Sequence, residues 1–300
     1  MKKLTIGYFA DGPWSHLAFE KMINSGLLEI AFITPRFDTT DTRLKDYSEK
    51  YGIDYLLTPN VNSKEYLEKV SSYGCDLFVS MSFNQIFRKT IINTPKYRTI
   101  NCHAGKLPFY RGRNILNWAL INDENEFGIT VHYVDEGIDT GDIILQKTYP
   151  ITDDDTYKTL LEVAYKECAE ILFEAVMKFQ NGPAAGIQQN TIHPTGMYCG
   201  IRTIGDELID WNQSSRELFN FVRAICSPGP MARTYLDGIE IRIERVGLVP
   251  NAPVYKGKPG QILCKTQEGT FLVKTKDSFI EVLELEGKLR VGKLLKSKNG

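Results

Sequence analysis

Residues 4–34 read LTIGYFADGPWSHLAFEKMINSGLLEIAFIT, and this stretch decides the fold class. Two apolar, β-prone runs, 4–9 and 29–34, flank a segment whose apolar residues recur at helical spacing. The run from Asp11 to Pro13 predicts a turn, Ser15 a helix N-cap and Gly26 the end of the helix. A strand, a helix and a second strand in this order predict a parallel sheet covered by helices.

The same alternation continues through the first half of the chain. Further strands are predicted at 54–57, 76–80, 98–102, 129–134 and 142–149, and helices at 42–51, at 63–71 and from about 153 to 181. Polar residues stand at the carboxyl ends of strands 76–80 and 98–102. Because ligands of open parallel sheets bind beyond such ends, these two predict the site.

The spacing of the apolar residues changes in the last hundred residues. One helix at 214–225 is followed by short β-rich runs at 239–246, 260–264, 270–275, 280–285 and 289–291. The Gly-, Pro- and Asn-rich stretch before them predicts a linker. We therefore expect an α/β catalytic domain of Rossmann-like architecture over 1–190, a linker over 191–205 and a small β-barrel-like (OB-like) domain over 206–300.

Composition excludes several classes of protein. The 300 residues carry 36 Lys and Arg against 37 Asp and Glu, a net charge of −1, which disfavours a strongly basic nucleic-acid or membrane binder. No signal peptide or membrane span is readable, so we expect a cytoplasmic protein without a membrane partner. The six cysteines form no CxxC pair, which predicts free thiols and no metal site.

The densest polar patch runs from Asn101 to Asn114 with the sequence NCHAGKLPFYRGRN. Alternate residues of a strand face the same side, so Asn101 and His103 would point together at a strand end. An amide can stabilise an oxyanion while a neighbouring imidazole moves a proton, which suits acyl chemistry. The carboxylate that such a histidine needs would come from Asp135 or Asp139, whereas His16, His132 and His193 are interpreted as structural or surface residues.

This patch, together with the later DEGIDTG at 135–141, resembles the double signature of the N10-formyltetrahydrofolate-dependent formyltransferases. The resemblance covers roughly residues 1–200, and the tail resembles the family's carboxyl-terminal β domain. It implies that Asn101, His103 and Asp139 form the catalytic triad, and that a formyl group passes from the folate to a primary amine without a metal.

The resemblance also implies a folate site built from two loops and the stretch after the catalytic histidine. The positions that match it are Gln85, Ile86, Phe87, Gly105, Lys106, Leu107, Pro108, Arg113, Asp135, Glu136, Gly137 and Ile138. Family members often have Ser and Leu where Gly105 and Lys106 stand. Lys106 would therefore either contact the glutamate tail of the folate or be an exposed loop lysine.

The acceptor amine is predicted from two differences. Methionyl-tRNA enzymes of the family usually carry a long basic loop after the second strand, whereas residues 35–45 here are short and mixed in charge. The run from Arg113 to Asn122 instead resembles enzymes that formylate a nucleotide-linked amino sugar. The expected substrate is therefore a dTDP-, UDP- or GDP-linked amino sugar of surface-glycan, for example lipopolysaccharide, biosynthesis. Its predicted contacts are Tyr110, Arg111, Asn114 and Asn117, with Arg111 alternatively a scaffold residue.

Other functions stay open at this point. Methionyl-tRNA formyltransferase is the alternative, which would make tRNA the partner. A formyltetrahydrofolate hydrolase would share the triad and use water as its nucleophile, glycinamide ribonucleotide enzymes are usually single-domain, and a folate-binding protein would carry an idle site. Sugar enzymes of the family are often dimers, so a homodimer is expected.

Neither GxGxxG after the first strand nor GxxxxGK[ST] occurs, which removes support for dinucleotide and P-loop chemistry.

Overall fold

The computed structural model describes residues 3–297. Its amino-terminal half alternates strands and helices as the sequence predicts. In chain order these elements are β1 Leu4–Ala10, α1 Pro13–Asn24, β2 Leu28–Thr34, α2 Arg43–Tyr51, β3 Asp54–Tyr55, α3 Lys64–Ser71, β4 Leu77–Met81, α4 Lys89–Ile92, β5 Thr99–His103, β6 Arg111–Gly112, α5 Ile115–Ile121, β7 Glu126–Tyr133, β8 Ile143–Pro150 and α6 Tyr157–Met177. A short 3-10 helix, Lys178–Asn181, extends α6.

The remaining elements are α7 Gln189–Ile192, β9 Tyr198–Cys199, α8 Ser215–Ile225, β10 Ala232–Leu236, β11 Ile239–Leu248, β12 Ile262–Lys265, β13 Phe271–Lys274 and β14 Phe279–Glu286. Strand β10 was not predicted, and the predicted strand at 289–291 is not formed. Helix α1 begins at Pro13 rather than after Ser15, because proline fits the first helical position with its fixed φ.

Seven strands form the main sheet in the order β3-β2-β1-β4-β5-β7-β8. Strands β1 to β5 pair in parallel, and β7 pairs with β5 in the antiparallel direction. One face of this sheet is filled by aromatic rings around Phe9, whose centroid lies 5.2 Å from that of Phe78 and 5.1 Å from that of Phe87. The predicted Rossmann-like α/β class with its mostly parallel sheet is therefore confirmed.

Five strands form a second, antiparallel sheet in the order β10-β11-β14-β13-β12. Helix α8 precedes it, and its amino terminus carries a reciprocal cap between Ser214 and Glu217. This sheet is the carboxyl-terminal β domain that the sequence predicts.

The chain divides into two compact units. The catalytic unit holds the chain up to Gly112, Phe127–Tyr149 and Glu162–Cys199, and the C-terminal unit holds Arg113–Glu126, Pro150–Leu161 and the chain from Gly200. Two segments that precede residue 190, Arg113–Glu126 and Pro150–Leu161, thus belong to the C-terminal unit. The domain boundaries at 190 and 205 stay a prediction.

Candidate active site

Strand β5 presents two polar side chains on one face at the middle of the main sheet. Asn101 and His103 are two residues apart, and Cys102 between them points the other way, where its thiol lies 3.8 Å from the carbonyl of Cys168. On the neighbouring strand β7, His132 stands opposite Asn101 in the antiparallel register. The strand pairing therefore brings a second imidazole to the predicted pair.

The carboxylate of Asp139 lies between the two imidazoles. Its Oδ2 atom is 3.7 Å from Nδ1 of His103, and its Oδ1 atom is 3.4 Å from Nε2 of His132. The amide of Gly112 donates a hydrogen bond of 2.9 Å to Oδ2. Of the two carboxylates left open by the sequence, Asp139 is thus the one at the histidine.

The pKa of Asp139 is set by opposing effects. Burial of the carboxyl raises its pKa, but His103, then the hydrogen bond and charge of His132, and then the Gly112 amide together hold the pKa well below its usual range. Asp139 is therefore an anion across the working pH range. Its backbone is also left-handed, with φ of 53°, which costs a non-glycine residue on the order of 1 kcal/mol.

The orientation of His103 follows from its second ring nitrogen. Nε2 lies 2.7 Å from the carbonyl oxygen of Tyr110, which can only accept, so Nε2 carries a proton and donates it. Nδ1 then faces Asp139 and is the nitrogen at which a proton is gained or lost. A Cβ atom on Gly105 would overlap both Nε2 of His103 and the Tyr110 carbonyl, so this hydrogen bond requires glycine there.

His132 is fixed in the complementary way. Its Nδ1 atom lies 2.8 Å from the carbonyl oxygen of Tyr133, and so Nδ1 donates. Nε2 lies 3.3 Å from Nδ2 of Asn101 as well as 3.4 Å from Asp139. A neutral His132 accepts from Asn101, whereas a protonated one donates to Asp139. The interpretation of His132 as a structural or surface residue missed this contact, because only the β5–β7 register reveals it.

The side chains predicted to hold the folate differ in how far they are exposed to solvent. Gln85 anchors its own loop, accepting from the amide of Val61 and donating to the carbonyl of Thr58. Phe87 is buried against Phe9, whereas Ile86 is 64% exposed. Only Ile86 and the loop backbone are thus presented to a ligand.

The second predicted folate loop is held from within. Asp135 accepts from the amide of Gly137 and from the hydroxyl of Thr140, which closes the turn. Glu136 is exposed, and the side chain of Ile138 is 53% exposed. The loop therefore carries an outward apolar side chain beside the ionised Asp139.

The stretch from Gly105 to Pro108 is tied to β7. Thr130 donates to the carbonyl of Gly105, and Gln146 donates to the carbonyl of Leu107. Leu107 is 1% exposed, and a Cβ on Gly128 would meet the stem of Lys106. These contacts fix the backbone that follows His103.

The residues predicted for the acceptor are divided between the two units. Tyr110, buried and with φ of 56°, and Arg111 lie in the catalytic unit. Asn114 is exposed in the C-terminal unit and accepts from the amide of Arg202, and Arg113, which was predicted for the folate, is exposed beside it. Asn117 is buried there and donates to the carbonyl of Ala224. Their substrate contacts, like the roles of the triad and of the folate positions, stay predictions.

For residues 3–297, two observations concern membrane spans and metal sites. No helix in this range is both long and apolar enough to cross a bilayer. No three His, Cys, Asp or Glu side chains in it form a group that could hold a metal ion.

Two family models match the chain. The model "Formyl transferase" matches residues 20–176, and "Formyl transferase, C-terminal domain" matches residues 203–297. The chain belongs to the formyl transferase family. The methionyl-tRNA formyltransferase of Geotalea uraniireducens (strain Rf4) is 33% identical over 280 residues, which are 91% of this chain and 87% of that protein. This formyltransferase is accordingly an enzyme of formyl-group transfer.

Solved structures share the fold over nearly the whole chain. The sugar 3N-formyl transferase WlaRD, solved with dTDP and 5-N-formyl-THF, superposes with a TM-score of 0.70 at 19% identity, covering 96% of this formyltransferase and all of that chain. An N-formyltransferase from Helicobacter canadensis, in complex with folinic acid and dTDP-3-aminofucose, gives 0.67 at 21% identity, covering 95% and 100%. These likenesses establish the common architecture.

Proposed function

We propose that this formyltransferase moves the formyl group of N10-formyltetrahydrofolate to the primary amine of a dTDP-, UDP- or GDP-linked amino sugar, in the cytoplasm and for surface-glycan biosynthesis. The observation that carries the choice of acceptor is the loop after β2. Arg36 in this loop and Arg43 directly after it are each paired within the catalytic unit, and acidic residues lie between them, which disfavours a basic surface for a polyanion.

The loop after β2 spans residues 35–42 before α2 begins. Arg36 donates to the carbonyl and hydroxyl of Ser82, 2.8 and 3.0 Å away. At the start of α2, Arg43 pairs with Glu20 at 2.9 Å. Lys45 is exposed, and Asp38 and Asp41 lie between the arginines. An acceptor stem is bound largely through its phosphates, which require several accessible cations on one surface.

In this proposal each triad residue has a task that its position in the structure supports. Asn101 donates to the oxyanion that develops as the amine attacks the formyl carbon. His103 takes the amine proton on Nδ1 and returns it to the folate nitrogen that leaves, while Asp139 stabilises the imidazolium. Nε2 keeps its proton on the Tyr110 carbonyl throughout.

The folate would lie against the two loops that expose Ile86 and Ile138, whose apolar side chains suit the flat pterin ring. The bound partners of WlaRD and of the Helicobacter canadensis enzyme support both the folate and the nucleotide-sugar parts of the proposal. A homodimer stays a prediction.

Methionyl-tRNA is the second candidate acceptor. The curated relatives at about one-third identity support it, since the Geotalea uraniireducens protein and that of Citrifermentans bemidjiense, 34% identical over 83% of this chain, are both methionyl-tRNA formyltransferases.

The decisive experiment incubates the protein and N10-formyltetrahydrofolate with a panel of nucleotide-linked amino sugars and, separately, with methionyl-tRNA. Mass spectrometry then detects the gain of one formyl group. We expect product on at least one amino sugar and none with Asn101→Ala. Product on methionyl-tRNA alone would replace the proposal by the second candidate, and product on no acceptor in the panel would contradict both.

A further inference from the structure

The segment 186–199 lies against the residues that follow His103 and against the loop that carries Asp139, although residues 191–199 fall in the predicted linker. We call residues 186–199 the strap. Its strand β9 pairs with β6 through Tyr198 opposite Arg111 and Cys199 opposite Gly112. The amide of Met197 also donates to the carbonyl of Pro108, and the ring of His193 lies 5.0 Å from that of Phe109. The strap is therefore part of the structure that holds the residues after His103.

The buried side chain of the strap is Gln189, which is 4% exposed. Its Nε2 atom donates two hydrogen bonds of 2.8 Å, one to the carbonyl of Asp139 and one to the carbonyl of Gly141. Both carbonyls belong to the loop that carries the triad carboxylate. The side chain thus fastens this loop on either side of Thr140.

The opposite end of the same amide is fixed by Arg111. Oε1 of Gln189 accepts from Nε of Arg111 at 3.1 Å and from Nη2 at 2.6 Å. A guanidinium has only donors, so the atom facing it is the amide oxygen, and the two N–H groups must point at the loop. All four hydrogen-bonding positions of the amide are occupied.

We propose that Gln189, oriented by Arg111, is a positioning residue that holds Asp139 in the left-handed backbone conformation from which its carboxylate reaches both imidazoles. That conformation costs a non-glycine residue on the order of 1 kcal/mol, which the two hydrogen bonds from Gln189 to this loop help to offset. The inference rests on the proposed catalytic role of Asp139. It gives Arg111 a scaffold role.

The test uses Gln189→Met, which keeps the size of the side chain and removes its hydrogen bonds, and Gln189→Glu, which keeps a partner for Arg111 but cannot donate to the loop. Gln188→Met is the matched control, because Gln188 is the exposed neighbour on the same segment. The first readout is the amide proton shift of Gly112 in the full-length protein, since that amide donates to Asp139 and reports on the position of the carboxylate without any acceptor.

We expect the Gly112 amide to move upfield in both Gln189 variants and to stay in place in Gln188→Met. In both Gln189 variants kcat should fall about 10- to 100-fold with whichever acceptor the enzyme uses, because a catalytic group is slightly displaced. The KM for the folate should stay within about twofold of the wild-type value. Adding Gln189→Met to Asp139→Asn should cost nothing further.

An unchanged Gly112 amide in a folded Gln189 variant would overturn the inference, as would a fully additive loss in the double variant. If Gln189→Met does not fold, Gln189→Glu decides the question by the same shift. Full turnover by Asp139→Asn would instead refute the catalytic role of Asp139, and the Gly112 shift would still show whether Gln189 positions it.

Discussion

At the scale of single residues, Gly105 is where this chain departs from the usual family stretch and where the structure explains the departure. A side chain there would displace either the His103 ring or the Tyr110 carbonyl. Gly105→Ser, which restores the residue that family members often have, is therefore expected to lower kcat by about 10- to 100-fold, because the hydrogen bond that fixes the tautomer of His103 is lost. Steady-state kinetics measure it.

The control for that change is Gly200→Ser. A Cβ on Gly200 meets no atom within 4 Å, and its φ is not in the left-handed range. It should retain wild-type turnover. Equal kinetics for Gly105→Ser and the parent would show that the Tyr110 contact does not orient His103.

The lowered pKa of Asp139 gives a pH-dependent contribution to stability. A carboxyl whose folded pKa lies below its unfolded value stabilises the fold above the unfolded pKa, near 4, and loses this contribution as pH falls toward the folded pKa. Asp139→Asn should thus reduce the free energy of unfolding at pH 7 by on the order of 2 kcal/mol. The deficit should shrink below about pH 4. Urea titrations of both proteins from pH 7 to pH 3 test this, and a deficit independent of pH would contradict it.

His132 is the residue that reasoning from the sequence missed. His132→Phe keeps an aromatic ring and removes the nitrogen shared by Asn101 and Asp139, so kcat should fall about 100-fold, the lower end of the range for acid–base groups. His193→Phe is the comparison, since His193 is exposed and its ring contact with Phe109 survives. If both variants keep wild-type kcat, His132 holds no catalytic proton.

At the scale of elements, the sequence predicts best where the signal is local. The helices predicted at 63–71 and 214–225 begin where expected, because Ser63 and Ser214 cap them, whereas Ser15, the predicted N-cap of the first helix, lies inside α1. Residues 191–199 of the strap were predicted as part of a linker, because Gly, Pro and Asn indicate irregular backbone both in a free linker and in a segment packed on a loop. Its contacts are with residues about 80 positions earlier, which no local pattern encodes.

The cap of α8 provides an element-scale prediction. Ser214 accepts from the amide of Glu217, and Glu217 accepts in return from the amide of Ser214. Ser214→Ala should destabilise the C-terminal unit by about 1 kcal/mol, or roughly 2–4 °C in Tm. Ser71→Ala, at an exposed helical position in α3, should change Tm by less than about 1 °C. Calorimetry measures both, and equal Tm values for the two variants would contradict the capping argument.

At the scale of the whole molecule, segments of the two compact units alternate along the chain. The predicted split rests on a change of period near residue 200, which marks where the β-rich tail begins. It cannot show that Arg113–Glu126 and Pro150–Leu161 join that tail, because their packing depends on contacts such as that of Asn117 with Ala224. A two-residue step on a strand predicted that Asn101 and His103 point together, whereas the choice of Asp139 over Asp135 came from the resemblance to the formyltransferases.

The near-neutral charge of the whole chain predicts how the KM for the acceptor depends on salt concentration. Between 50 and 200 mM KCl, KM for the amino-sugar substrate should rise by less than about tenfold, because a pyrophosphate offers few charges to neutralise. A protein making 6–10 phosphate contacts to a nucleic acid loses about 10³- to 10⁵-fold in affinity over that range. A loss of that size would indicate a polyanionic acceptor.

The guanidinium of Arg111 lies flat against the backbone of the strap at Gly196, where a Cβ atom would overlap it. This close approach matters when homologues in newly sequenced genomes are classified as enzymes. A homologue with alanine at this position would keep both family motifs intact and be grouped with active enzymes by motif matching, yet its arginine would no longer fit beneath the strap. Judging whether a distant relative is still an enzyme therefore requires looking almost a hundred residues beyond the asparagine of the first motif, at a glycine outside both family motifs.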